Sequence, residues 1–233
     1  MKILVVSDHE NRKIWDFFEP GMLNKYDLIL SCGDLKPEYL SFLATMSHAE
    51  VLYVHGNHDR NYQKCPPEGC TEIDGRIFEF RGLRILGLGG SMRYKPGPCM
   101  YTEEEMKRRI SKLWLKIRRK KGFDILLTHS PAAGINDQED PAHRGFQCFT
   151  DLIDRYHPKY FLHGHVHGNY GHGFKRTDTR GETVIINGYD KYEIDIPDEA
   201  LPCVKRPGNR KKDPVPEVPS SQDPSSSGNA SAP

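Results

Sequence analysis

The 233 residues contain no apolar run near the ~18 that would cross a bilayer, so no membrane partner is expected. Charge of one sign is also missing: 33 Lys and Arg stand against 32 Asp and Glu, a formal net charge of +1. That balance argues neither for a nucleic-acid binder nor against one. Zinc-finger spacing is absent too. Of the six cysteines, Cys65 and Cys70 bracket a Pro-Pro-Glu-Gly turn, and no second pair with finger spacing follows. After Met1-Lys2 the chain enters a short strand-like run with no signal-like segment. A cytoplasmic protein with reduced thiols is expected.

What the chain does have is polar residues at the ends of buried strands. Ile3-Leu4-Val5-Val6 runs into Ser7-Asp8-His9-Glu10, and Leu28-Ile29-Leu30 into Ser31-Cys32-Gly33-Asp34. Val51-Leu52-Tyr53-Val54 runs into His55-Gly56-Asn57-His58-Asp59, and Ile125 to Thr128 into His129. Tyr160-Phe161-Leu162 runs into His163-Gly164-His165-Val166-His167-Gly168, three histidines in five residues. Buried imidazoles need partners, so this is a poor way to build a core and a good way to build a metal site. Ligands of open α/β sheets gather at the carboxyl ends of strands, so five such ends can meet in one pocket.

Asp8, Gly33-Asp34, Gly56-Asn57-His58-Asp59, His129 and Gly164-His165-Val166-His167 resemble, in order and spacing, the five motifs of the calcineurin-like metallophosphoesterases. The resemblance runs from Met1 to about Asp195. It implies an α/β fold of the four-layer α+β type, a β-sandwich of two mixed sheets flanked by helices. It also implies a hydrolase with two divalent metal ions: Asp8, Asp34 and His167 for the first, and Asp34, Asn57, His129 and His165 for the second. A carboxylate with two oxygens suits Asp34 as the bridge. Nitrogen and oxygen ligands without thiolate favour Mn, with Fe, Zn or Co as alternatives. By the same resemblance His58 protonates the leaving oxygen and Asp59 holds its ring. One position departs from the pattern: Asp-x-His is here Asp8-His9-Glu10. Period-two alternation makes Glu10 the expected ligand, with His9 as the alternative.

The substrate expected is a phosphodiester or a small phosphorylated compound, with nucleic acid not favoured. Arg60, Arg93 and Arg144 are candidate phosphate contacts, each in a loop. His163 is read as structural, and His48, His55, His157 and His172 receive no role. The alternative to an enzyme is a non-catalytic interaction scaffold on the same fold, with a weakened first metal site.

Residues 1–200 are expected to form the catalytic domain. Helices are predicted over Asn11 to Phe18, Pro37 to Met46, Thr102 to Lys120 and about Gly145 to Tyr156, with a hairpin across Arg81-Gly82. Thr102 and Glu105 have capping-box spacing. The basic run Arg118 to Lys121 is read as complementing the helix dipole. Residues 201–233 hold seven of the 17 prolines and six serines, and so a disordered tail is expected.

Overall fold

Strands that are apolar at every position must be covered on both faces, and that requirement organises this chain. The computed structural model describes residues 1–168, 174–197 and 199; the expected tail 201–233 lies outside the described residues. The first half runs β1 (Lys2–Ser7), α1 (Arg12–Trp15), β2 (Leu28–Ser31), α2 (Pro37–Met46), β3 (Glu50–Tyr53), β4 (Thr71–Glu72), β5 (Arg76–Phe80), β6 (Leu83–Leu88). It continues β7 (Ser91–Met92), β8 (Met100–Tyr101), α3 (Glu103–Arg119), β9 (Ile125–Thr128), α4 (Gln147–Tyr156), β10 (Tyr160–His163), β11 (Thr177–Arg180), β12 (Thr183–Asn187), β13 (Asp190–Asp195).

Five strands form one sheet in the order β13-β1-β2-β3-β4, with β13 alone antiparallel. Six form the other, in the order β11-β12-β10-β9-β6-β5, with parallel strands inside and antiparallel strands at both edges. Alternation along each strand then sorts the apolar side chains into three layers. Ile3, Val5, Leu30 and Leu52 meet Ile85, Leu127, Leu162 and Ile186 between the sheets. Leu4, Val6 and Ile29 face outward onto Ile14, Tyr39, Leu40 and Leu43 of α1 and α2. Leu126, Phe161 and Ile185 face outward onto Leu113 and Ile117 of α3 and Phe149 and Leu152 of α4. The result is the expected sandwich of two mixed sheets between helices.

Helix α3 shows the predicted capping box. Thr102 Oγ1 accepts from Glu105 N, and Glu105 accepts in return from Thr102 N. The predicted first helix shrinks to Arg12–Trp15: Asn11 caps it, and Phe17 beyond its end is left 65% exposed. The short strands β4, β7 and β8 and the polar edge strand β11 were not predicted, because two-residue and Thr-Asp-Thr-Arg segments carry no apolar period.

Candidate metal centre

The chain turns sharply where it leaves its parallel strands. Asp8 follows β1 at φ 63°, Asp34 lies beyond β2 at φ 55°, and His165 lies beyond β10 at φ 68°. Left-handed backbone at a non-glycine residue costs on the order of 1–3 kcal/mol and persists where surrounding structure enforces it. The motif glycines allow the close approach. A Cβ on Gly56 would lie 2.0 Å from Asp34 Oδ1, and one on Gly164 would lie 2.0 Å from Ser7 Oγ and 2.4 Å from Asp8 Oδ2.

Four ligand atoms then converge. His129 Nε2 lies 2.9 Å from Asn57 Oδ1, 3.0 Å from His165 Nδ1 and 3.3 Å from Asp34 Oδ2. The far side of each ring fixes its tautomer. His129 Nδ1 is 2.9 Å from the Cys32 carbonyl, and His165 Nε2 is 2.6 Å from the Ala142 carbonyl. A carbonyl only accepts, so those nitrogens donate and, in the neutral rings, the inward-facing ones carry the lone pairs. Two imidazole nitrogens, a carboxylate oxygen and an amide oxygen thus point at one another, in a setting where His129 is fully buried and Asn57 is 2% exposed. That donor set fits a divalent cation with mixed N and O ligands. The protein's own groups favour positive charge there. Burial alone would lower the His129 pKa, yet Asp34 at its side lifts it to about 9. Burial likewise opposes ionisation of Asp34, but His129 outweighs it and holds the carboxyl at about 2. Burial and then His129 push His165 down to about 4, leaving it the neutral ring a metal requires.

Asp8 makes a second pairing. Its Oδ2 accepts from His165 N at 2.9 Å, and its Oδ1 lies 3.3 Å from His167 Nε2. Glu10 does not join them. Its Oε1 accepts from Lys36 N at 3.1 Å, at the N-terminus of α2. Period-two alternation stops at Ser7, because Asp8 is left-handed and His9 N folds back onto Ser7 O at 2.7 Å. His9 is half exposed and faces Asp190 at 3.5 Å. We therefore expect Glu10→Ala to leave metal content unchanged and to cost about 0.3–1 kcal/mol through the lost helix-terminus contact. Elemental analysis showing one ion fewer would return Glu10 to the ligand set.

His58 is 69% exposed, with Nε2 4.0 Å from Asp34 Oδ2, and its backbone N donates to Asp34 Oδ1 at 2.7 Å. Asp59 is not on its ring, contrary to the expectation. One oxygen, Asp59 Oδ2, accepts from both Asp34 N and Gly56 N at 2.7 Å, fastening the turn after β2 to the turn after β3. Burial and then the Asp34 charge push this carboxyl up to about 7. Asp59→Ala is expected to destabilise by about 1–3 kcal/mol, because two buried N–H groups lose their acceptor. Thermal unfolding measures this; an unchanged melting temperature would contradict the clamp. Neither this clamp nor the two carbonyl anchors was legible in the sequence, since turn geometry decides them.

Of the arginines, Arg93 is taken by Glu105 at 2.7 Å. Arg144 lines a surface cleft with Asp137 and Glu139, and the Arg60 guanidinium reaches towards Gly97. His163 is fully buried and stacked on Phe161, which fits its structural reading. Glu10, Asp34, His58 and Asn61 share a cavity of about 250 Å³ beside the centre.

The family model described as calcineurin-like phosphoesterase matches residues 1–169. A UPF0046 protein of Caenorhabditis elegans is 25% identical over 207 residues, covering 72% of this chain and 69% of that protein. An uncharacterised Haemophilus influenzae protein is 24% identical over 145 residues, covering 53% of this chain and 64% of that one. In fold, the crystal structure of TT1561 of Thermus thermophilus is similar at TM-score 0.55 and 16% identity, covering 81% of this chain and 89% of that one.

Proposed function

The chain belongs to the calcineurin-like phosphoesterase family, and on that premise we propose that it is a metal-dependent hydrolase of phosphodiesters or small phosphorylated compounds. The observation that carries this reading is the convergence of ligand atoms from Asp34, Asn57, His129 and His165, with both rings anchored from behind by carbonyls. These four would hold one ion, and Asp8, Asp34 and His167 the other. Divalent ions held there, Mn first among them, would supply charge to offset the phosphoryl oxygens and to acidify a water. His58 is placed by its own N–H on Asp34 and remains exposed. Its role is to give a proton to the leaving oxygen. Asp59 positions Asp34 and does not tune His58.

A scaffold without catalysis is the second reading, favoured by one observation: residue 10 spends its carboxylate on α2 rather than on the Asp8 and His167 pair. Chelated protein given Mn and assayed on bis-p-nitrophenyl phosphate and p-nitrophenyl phosphate separates the two. The enzyme reading expects hydrolysis, faster on the diester. Bound metal with neither ester cleaved would favour the scaffold. A cytoplasmic setting completes the reading; among the described residues no helix is long and apolar enough to cross a membrane.

A further inference from the structure

We propose that the outer face of α3 docks this protein on an anionic lipid surface. Nine of the chain's 33 Lys and Arg fall between Lys107 and Lys121, a stretch with no Asp or Glu, in a chain of net charge +1. Three are matched locally: Arg109 by Asp74, Lys120 by Glu79 and Lys107 by Glu103. Arg108, Lys112, Lys116 and Arg119 are exposed and form no ion pair within 4.0 Å among the described residues, although the charge of Arg108 reaches Glu105. The helix dipole accounts for cations in the last turn, but Arg108 and Lys112 stand well before it, four residues apart, where like charges repel.

The apolar side chains on this face make the second observation. Helical spacing puts Arg108, Lys112, Leu115 and Arg119 in one row and Lys107, Ser111, Trp114 and Arg118 in the next. Leu115 is 58% exposed and Trp114 is 41% exposed, so both rows carry an uncovered apolar residue at mid-helix with cations above and below. The second row borders a groove of about 470 Å³ between α3 and α4, floored by Ile110, Leu152 and Tyr156 and flanked by Lys107 and Arg155, with Asp151 the one carboxylate in its lining. An apolar wedge ringed by cations matches a headgroup layer, where Lys and Arg meet phosphates while Trp and Leu enter the acyl boundary. Nucleic acid fits less well: Leu115 offers a phosphate backbone nothing, and Arg118 already lies over the Trp114 ring at 5.4 Å. Surface docking departs from the expectation of no membrane partner, which rested on the absence of long apolar runs and so on spanning alone.

The test is co-sedimentation of the full chain with phosphatidylcholine vesicles, with and without phosphatidylglycerol at ~30 mol%, at low and high salt. Binding is expected only to the mixed vesicles, and it is expected to fall away at high salt. Arg108→Glu/Lys112→Glu/Arg119→Glu should weaken it more than about tenfold, and Leu115→Ser several-fold, with unchanged melting temperatures. The basic residues between Lys205 and Lys212 are kept throughout, so a loss is assigned to α3. No binding to mixed vesicles, or full binding by the triple variant, would overturn the proposal. So would an oligonucleotide bound more tightly than the vesicles and insensitive to Leu115→Ser, which would assign the face to nucleic acid.

Discussion

Asp34→Asn is expected to abolish phosphodiester hydrolysis, by more than about 10²-fold, and to lower the metal bound per chain from two towards one or none. The reason lies in what each oxygen does. Oδ1 accepts the His58 N–H at 2.7 Å, and Oδ2 stands 3.3 Å from His129 Nε2. Asparagine can keep only one of these. If its oxygen stays on the His58 amide, its NH₂ replaces Oδ2 and presents hydrogens where a cation needs a lone pair. Removing the charge relieves Asp59, whose carboxyl is pushed up by burial and then by Asp34, but it also takes from buried His129 the carboxylate that raises its pKa. The melting temperature of the apo variant, measured beside its metal content, separates loss of the site from loss of the fold. A variant that keeps two ions and normal turnover would remove Asp34 from the site.

His58→Ala has the second largest expected effect, of a different kind. The side chain is 69% exposed and contributes little packing, while the backbone N–H that holds Asp34 survives in alanine. Metal content and melting temperature should stay near those of the parent. Loss of the general acid should slow esters with poor leaving groups by about 10²–10⁴-fold. p-Nitrophenolate leaves without help, so its esters should be slowed far less. An equal loss on both kinds of ester would assign His58 a positioning role instead.

The strand ends were legible because apolar runs followed at once by Asp, Asn or His leave few other readings. Helix α3 was legible through Thr102 and Glu105, whose capping pattern is local. Glu10 was misread because strand alternation was carried past Ser7, and the left-handed turn at Asp8 is invisible in residue types. Asp59 was given to His58 by the resemblance, although its acceptor oxygen serves two backbone amides, Asp34 N and Gly56 N. The Ala142 carbonyl behind His165 comes from a loop 23 residues away, with no motif of its own. What the sequence concealed was backbone direction, which decides partners in turns.

The most direct measurement is Mn binding to chelated protein, followed by calorimetry or electron paramagnetic resonance, for the parent chain and for His129→Ala. His129 is the residue on which Asp34, Asn57 and His165 converge. The parent should bind two ions per chain, and the variant should lose the one shared by Asn57 and His165 together with diester hydrolysis. Equal Mn binding by parent and variant, or none by the parent, would contradict a metal centre at this position.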